Sequence, residues 1–212
     1  MPKIKYTKGE LKRQRDSLAQ FRRYLPTLQL KKQQLQIKVF EMRAVLEMKQ
    51  GLLTGQEHGV LQWVGILADP ALHEMEGDGF DLKKYTVPLK VETGQENIAG
   101  AHIPVLKKIT FADPDYDLYE TPFWIDMAVP VLKELTSLAV EVRVIEEALR
   151  CLQRELRITT QRVNLFEKVK IPEAIEHIRQ ITIYLGDQQA NAVGISKVAK
   201  RKLEQAQLAP AV

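Results

Sequence analysis

Apolar residues recur in the N-terminal part of the chain at alternating spacings of three and four residues. Ten of the thirteen positions in this series are apolar, and the residues between them are mostly Lys, Arg, Gln and Glu. A stripe this narrow is typical of the seam of a coiled coil rather than of a helix on a globular core. Thr7, with Glu10 three residues later, predicts the N-cap of this first helix. The series is Leu11, Gln14, Leu18, Phe21, Leu25, Leu28, Lys32, Leu35, Val39, Met42, Leu46, Lys49 and Leu53.

The same spacing returns in the C-terminal part of the chain and predicts a second long helix. A long helix with one narrow apolar stripe needs a partner along its length. The two helices are therefore expected to pair antiparallel, with both chain ends at one tip. The second series is Leu135, Leu138, Val142, Ile145, Leu149, Leu152, Leu156, Thr159, Val163 and Phe166, then Ala174, Ile178, Ile181 and Leu185, fading through Gln188, Ala192, Ile195 and Ala199.

Two prolines, Pro26 and Pro172, fall inside these helical patterns. A proline in a helix interior removes a backbone donor and clashes with the carbonyl four residues earlier, at a cost of ~3 kcal/mol or more. Because the residue before a proline is pushed out of the α region, Pro172 could bend or break the helix near Ile171. It could instead begin a new helix at its first turn, where proline is tolerated. Both alternatives stay open, and Pro26 raises the same question for the first helix.

The pattern changes between the two helices. Residues 54–81 are rich in Gly and break near Pro70, and residues 114–122 form an acidic, aromatic linker. Residues 84–113 alternate β-branched and polar residues, which predicts a β-hairpin. Its turn signals are Glu92-Thr93-Gly94 and Ala99-Gly100, and Pro88 and Pro104 place its strands at a sheet edge.

The predicted fold is mainly α: a long antiparallel two-helix coiled coil with a small mid-chain α/β-hairpin insert. We expect an N-terminal coiled-coil helix at 1–55, a middle domain with a short helix and the hairpin at 56–122, and a C-terminal coiled-coil helix at 123–212.

The charge balance is mixed. The chain has 31 Lys and Arg against 27 Asp and Glu, a formal net charge of +4 and a pI near 9.0. A nucleic-acid-binding protein typically has a dominant basic face, so no nucleic-acid partner is expected. No segment approaches the ~20 apolar residues that a membrane span needs, so direct membrane insertion is not expected either.

No catalytic, cofactor-binding or metal-binding motif is predicted. The chain has no phosphate-binding glycine loop, dinucleotide fingerprint, serine elbow or zinc motif. Cys151 is the only cysteine, which excludes an intrachain disulfide, and a small packing residue is the simplest interpretation. His73 is interpreted as a solvated loop residue, and Trp63 and Trp124 as anchors of the middle domain. The carboxylates Asp113, Asp115, Asp117 and Glu120 lack the glycine and terminal Glu of a calcium loop.

Basic side chains are concentrated near both ends of the chain. If the two ends share a tip, these side chains converge there, and the Leu18 and Ile195 regions lie close together. They could simply keep a frayed end of the coiled coil in contact with water, or they could enter an acidic or polar cavity in a partner protein. The candidates for partner binding are Lys12, Arg13, Arg15, Lys197, Lys200 and Arg201.

The stretch RVNLFE (162–167), followed by IPEAIEHI (171–178), resembles the D subunit of the V-type/A-type rotary ATPases. LQLKKQQLQIKVF (28–40) is similar to a second pattern of that family. Gln161 and Phe166 depart from residues that are common in the family, and Pro26 has no counterpart in it. The motif adds Arg162, Asn164 and Glu167 to the candidate partner-binding residues.

This resemblance implies a non-catalytic central-stalk subunit, cytoplasmic and peripheral to the membrane, without a cofactor. The chain would stand as an axle inside a hexamer of A and B subunits, whose A subunits carry the catalysis. An F subunit would clamp it, and a connector subunit would join it to the membrane ring that carries protons or sodium ions. The alternative that the residues leave open is a coiled-coil adaptor that forms homodimers.

Overall fold

A computed structural model describes residues 5–63, 65, 82–113 and 124–208. The described chain is mainly helical with a β-hairpin in the middle, as predicted. Its elements are α1 (Lys8–Leu61), α2 (Leu82–Thr86), β1 (Lys90–Ile98), β2 (Ala101–Thr110), α3 (Ile125–Leu165), a π-helical turn (Phe166–Lys170) and α4 (Ile171–Leu208).

The chain divides into two compact units. The central unit comprises residues 31–158, and the terminal unit comprises residues 1–30 and 159–212. The domain boundaries expected after residues 55 and 122 stay predictions. The break near Pro70, the linker at 114–122, and His73, Asp115, Asp117 and Glu120 lie outside the described residues.

The first helix begins as predicted, with Thr7 as its N-cap. The Thr7 hydroxyl oxygen accepts a hydrogen bond from the Glu10 backbone N–H at 3.2 Å. The reciprocal half of the capping box does not form, because the Thr7 N–H donates to the Lys5 carbonyl at 3.0 Å. The Glu10 carboxylate instead accepts from the Gln14 amide at 2.8 Å, one helical turn later.

The structure confirms both seams. Every position of the first predicted series is buried or half-buried, as is every position of the second series from Leu135 to Leu185. The deepest are Leu35, Leu152 and Ile181, each fully buried. The fading of the second series is also confirmed, because residues 186–205 are all exposed.

Within the central unit, α1 and α3 run antiparallel. Lys49 Nζ lies 2.6 Å from Glu141 Oε2. Two turns further along α1, Gln56 donates to Glu134 at 3.1 Å. The α1 partner advances by seven residues while the α3 partner retreats by seven, so the helices point in opposite directions.

Within the terminal unit, two aromatic pairs establish the same antiparallel direction. The rings of Phe21 and Phe166 have centroids 5.4 Å apart, and those of Tyr6 and Tyr184 have centroids 5.0 Å apart. Both pairs are tilted, a geometry that aromatic rings favour. From the second of these pairs to the first, the residue number rises from 6 to 21 in one segment and falls from 184 to 166 in the other, so the two segments run antiparallel.

Pro26 does not break α1, which continues without interruption from Lys8 to Leu61. Its side chain lies on the exposed side of the helix. Water can therefore reach the carbonyl of Arg22, which loses its helical donor at this point. Pro130 is likewise exposed and does not break its helix; it lies in the second turn of α3.

The hairpin turns at Ala99-Gly100, as predicted. Ala99 has φ 51° and Gly100 has φ 80°, so both residues are in the left-handed region that a two-residue type I′ turn requires. The Asn97 side-chain oxygen accepts the Gly100 N–H at 2.8 Å, which holds the turn.

The prediction of a turn at Glu92-Thr93-Gly94 is wrong, because these residues lie inside β1. The strand register shifts between Glu92 and Thr93, whose partners are Lys108 and Leu106. Lys107 is therefore the extra residue of a β-bulge. A Cβ atom on Gly94 would stand 2.5 Å from Lys107 Cε, so the glycine makes room for this side chain.

The hairpin packs its turn end onto the helix pair of the central unit. Ala101 and Ile103 of β2 are buried. The apolar cluster that they join contains Leu35, Val39, Ala148, Leu149 and Leu152. Cys151 packs against the same cluster, in agreement with its interpretation as a packing residue. Trp124 packs on a second cluster formed by Tyr85, Ile125 and Val129.

Candidate partner-binding surfaces

The π-helical turn at Phe166–Lys170 keeps the two halves of the second seam in phase. Phe166 and Ala174 are eight residues apart, whereas a seam of alternating steps of three and four returns after seven. A single π turn accommodates one extra residue. The Ile171 N–H accordingly bonds to the Phe166 carbonyl, five residues back. Ala174 and Ile181 are therefore buried rather than rotated away.

The same turn explains how Pro172 is tolerated. Pro172 is the second residue of α4, so it stands in the first turn of that segment, where its missing N–H costs least. The helical backbone is nevertheless continuous from α3 through the π turn into α4. The structure therefore excludes a break near Ile171, and Pro172 stands in the first turn of a helical segment that continues directly from the π turn.

The family-type motif presents its polar residues to solvent. Arg162, Asn164 and Glu167 are exposed, while Val163 and Phe166 between them point into the seam of the terminal unit. Leu165 and Val169, next to the motif residues, are also exposed. The motif thus combines three exposed polar side chains with apolar ones on the outside of a widened helical turn, an arrangement suited to binding another protein.

The two basic ends do not converge at one tip, contrary to the sequence-based expectation. Lys12, Arg13 and Arg15 lie in the first two turns of α1, between the levels of Tyr6 and Phe21. Tyr6 is level with Tyr184, and Lys197 to Arg201 follow Tyr184 by 13 to 17 residues. At 1.5 Å per residue, these side chains lie ~20 to 25 Å further along α4.

The physical reason is that α1 begins at Lys8 whereas α4 continues to Leu208. The described part of α4 beyond Leu185 therefore has no segment of α1 beside it. The expected proximity of Leu18 and Ile195 is wrong for the same reason. Leu18 is level with the π turn, so it lies more than ~30 Å along the helix axis from Ile195.

The unpaired end of α4 is an exposed, amphiphilic helix. Val193, Ile195, Val198 and Leu203 are exposed there, and Lys197, Lys200 and Arg201 alternate with them. Lys200 lies 3.8 Å from Glu204, one turn later. An isolated helix of this length has little stability of its own, so contacts with a partner would stabilise it.

One carboxylate of the terminal unit is held by its own helix. Arg179 donates to both oxygens of Glu176, at 3.0 and 3.2 Å, and Gln180 donates at 3.1 Å. These hydrogen bonds, that of Arg179 above all, lower the pKa of Glu176 below its ordinary value. The ionised Glu176 carboxylate therefore stabilises the folded state. This stabilisation is present above the unfolded-state pKa of the group and is lost as the pH falls through its folded-state pKa. It is small, because the group is exposed and screened by solvent.

Among residues 5–63, 65, 82–113 and 124–208, no cluster of His, Cys, Asp and Glu has the arrangement of a metal site. None of the helices in that part of the chain is long and apolar enough to cross a bilayer.

Cross-linking can test the register of the terminal unit. In a Cys151→Ser background, Phe21→Cys with Phe166→Cys should be joined within one chain by a short bismaleimide, because the two rings are in contact. Leu18→Cys with Ile195→Cys is the matched control and should give no intramolecular product. Gel mobility and mass spectrometry of the products provide the measurement. Cross-linked dimers from the Phe21/Phe166 pair, without intramolecular product, would contradict the register.

Comparison with known proteins gives one consistent result. The sequence model of the family described as the D subunit of ATP synthase matches residues 10–201. A V-type ATP synthase D subunit of Borreliella burgdorferi is 39% identical over 203 residues, covering 96% of each chain. The V-type ATP synthase D subunit of Chlamydia felis is 35% identical over 204 residues, covering 95% of this chain and 94% of its own. That of Chlamydia caviae is 35% identical with the same coverage.

Proposed function

The chain belongs to the family of ATP synthase D subunits, and we propose from that membership that it is the central rotor shaft of a V/A-type rotary ATPase or ATP synthase. In this role it couples ATP hydrolysis or synthesis in a hexamer of A and B subunits to proton or sodium transport. The chain itself is non-catalytic and binds no cofactor. It lies on the cytoplasmic side, peripheral to the membrane as part of the complex.

The observation that carries this proposal is the antiparallel helix pair with its buried apolar seam. A shaft that transmits torque has to resist bending and twisting. Interlocked seam side chains provide this, because close-packed apolar contacts permit little relative movement. The seam is buried in both units, and the residues between its positions are mostly exposed and polar.

The surface charges suit a part that turns inside a stationary ring. Two ion pairs on the described helices, Lys38–Glu41 and Arg179–Glu176, are exposed. Exposed pairs contribute only ~0 to 1 kcal/mol in general, so contacts of this kind with a ring can break and re-form at each step. Two unlike helices also present a different face to each catalytic site around the ring.

The partners that we propose are the catalytic A and B subunits, the central-stalk F subunit and the connector subunit of the membrane ring. The exposed side chains of Arg162, Asn164 and Glu167, and of Lys12, Arg13 and Arg15, are assigned to partner binding. Lys197, Lys200 and Arg201, on the unpaired end of α4, are assigned to the inner wall of the A/B hexamer. Nucleic acid is not among the partners.

The alternative, a coiled-coil adaptor that forms homodimers, is less well supported. Its seams would be filled by a second chain. Here the α1 seam is covered by α3 in the central unit, as the contacts of Lys49 and Gln56 with Glu141 and Glu134 indicate.

Reconstitution tests the proposal. We expect the purified chain to bind no ATP, and to bind both the A/B hexamer and the F subunit. In reconstituted complexes, ATP-driven ion pumping should require the chain, whereas the A/B hexamer should hydrolyse ATP without it. Calorimetry with ATP and a pumping assay provide the measurements. Micromolar ATP binding by the chain alone, or pumping without it, would contradict the role as a shaft.

A further inference from the structure

A cavity lies between the β-hairpin and the helix pair of the central unit. The hairpin is held against the helices at both of its ends. At its turn, Ala101 and Ile103 are buried in the apolar cluster that they share with α1 and α3. Beyond its other end, Lys133 of α3 donates to the Ala112 carbonyl at 3.0 Å and lies over the Phe111 ring. Between these two anchors, β2 spans a cavity of about 590 Å³.

The inside of this cavity is largely apolar. Its volume is within the range of roughly 300 to 1,000 Å³ that small-molecule sites occupy, and such sites combine an apolar lining with a few polar groups. Val105 follows the buried Ile103 by two residues but is 37% exposed, so the hairpin leaves apolar surface open here. The main apolar lining residues are Met42, Ile103, Val105, Val144, Ile145 and Ala148.

The strand pairing turns two lysines of β2 towards the cavity. Directly opposite residues of an antiparallel pair share a face of the sheet, and so do residues two apart along one strand. Ile103 pairs with Glu96, and Lys108 pairs with the residue four positions earlier in β1, so Lys108 lies on the face of the buried Ile103. Lys107, the extra residue of the bulge, lies on the same face, because its side chain occupies the space over Gly94. Both lysines line the cavity.

The charges around the cavity leave a positive excess. Lys49, Lys107 and Lys108 line it, together with Glu96 and Glu141. Lys49 is paired with Glu141 at 2.6 Å. Within the part of the chain that the structure describes, no carboxylate lies at ion-pair distance from Lys107 or Lys108. Two lysines thus stand against one remaining glutamate, and a ligand with a single negative charge complements this set.

We infer that this cavity binds a small amphiphilic anion, with its apolar body between β2 and α3 and its anionic head at Lys107 and Lys108. The volume suits a small molecule rather than a further helix, whose diameter with side chains is about 10 Å or more. Apolar contacts with the lining supply affinity, and the two ammonium groups select the sign of the head group. Such binding involves the central unit alone and does not depend on the role as a shaft.

Decanoate is the probe, titrated into the full chain by calorimetry below its micelle-forming concentration. We expect one molecule to bind per chain with a Kd on the order of 100 µM. Decyltrimethylammonium has the same alkyl chain and the opposite charge, and it should bind about tenfold more weakly or less, because the lysines repel it. Octanoate should also bind more weakly than decanoate, because each buried methylene raises affinity by up to about fourfold.

Two variants locate the site. Lys107→Gln with Lys108→Gln should weaken decanoate binding by about tenfold and leave the melting temperature unchanged, because both side chains are exposed. Lys168→Gln with Lys202→Gln is the matched control, which removes the same charge from the terminal unit and should bind decanoate like the parent chain. Val144→Phe keeps the charge and fills the cavity from α3, so it should weaken binding as strongly. If this variant does not fold, the exposed lysine pair still provides the test.

Unchanged decanoate affinity in the folded variants would overturn the inference, and so would equal affinities for decanoate and decyltrimethylammonium. Absence of decanoate binding to the parent chain at millimolar concentration would also overturn it. Vesicles of phosphatidylglycerol form a separate arm, measured by flotation. Capture of the chain by these vesicles without binding of free decanoate would show attraction to an anionic surface instead, and would overturn the inference too. All of these outcomes leave the proposed function standing, because ion pumping tests that function separately.

Discussion

Replacing Leu149 and Leu152 together by Ala should destabilise the central unit by roughly 4 kcal/mol or more, since buried Leu-to-Ala changes cost ~2 to 5 kcal/mol each. Leu152 is fully buried and Leu149 is 9% exposed, and both lie in the cluster that joins α1, α3 and the hairpin. Two cavities in one cluster would let the helices shift against each other. In the proposed complex, we expect ATP hydrolysis to continue while ATP-driven pumping falls, because torque is lost in a loosened shaft.

Urea denaturation measures the first effect, and hydrolysis compared with pumping in reconstituted complexes measures the second. Leu89→Ala is the control, because it removes the same atoms from a side chain that is 70% exposed. It should change stability and pumping little. If the double variant does not fold, Leu152→Met keeps most of the volume and should weaken coupling to a smaller extent. Normal pumping by a measurably destabilised double variant would contradict the stiffness argument.

Deleting one residue of the π turn should destabilise the terminal unit much less than deleting one residue elsewhere in the second seam. Deleting Arg154, an exposed residue of α3, rotates every later seam position by ~100° about the helix axis, so Thr159, Val163 and Ala174 would leave the seam. We expect the terminal unit to lose most of its stability. Deleting Lys168, exposed in the π turn, restores an ordinary seven-residue step from Phe166 and keeps the seam buried.

The Lys168 deletion alone has a cost, because an ordinary helix would bring Pro172 into a clash worth ~3 kcal/mol. Adding Pro172→Ala should remove that cost and return the stability to the parental value or above it. Circular dichroism during thermal unfolding compares the three variants. Equal destabilisation by the Arg154 and Lys168 deletions, with or without Pro172→Ala, would show that the π turn does not correct the phase of the seam.

Much of the fold could be predicted from local patterns. The alternation of steps of three and four identified seam residues from Leu11 to Leu53 that the structure buries or half-buries, because helical periodicity depends only on neighbours along the chain. The N-cap at Thr7 and the turn at Ala99-Gly100 could be predicted for the same reason. The candidate partner-binding residues could be proposed from charge and from a family motif, and they stay proposals, because their partners are other chains.

Other features could not be predicted, and each depends on contacts between distant residues. Glu92-Thr93-Gly94 has the composition of a turn, yet it lies in a strand, because Lys107 of the opposite strand needs the space over Gly94. The eight-residue step from Phe166 to Ala174 coincides with the interruption near Pro172. The π turn that accommodates it depends on tertiary packing, because it keeps Ala174 and Ile181 buried in the seam.

Local patterns along the chain thus specify which residues face the seam, where α1 begins and that a hairpin forms in the middle. The register of the terminal helices, in which Tyr6 meets Tyr184 and the end of α4 is left unpaired, is set by tertiary contacts. Periodicity defines the face of a helix but not its axial position. An axial shift by a whole heptad brings the same kind of residue into contact, so the register depends on which particular side chains fit together across the pair.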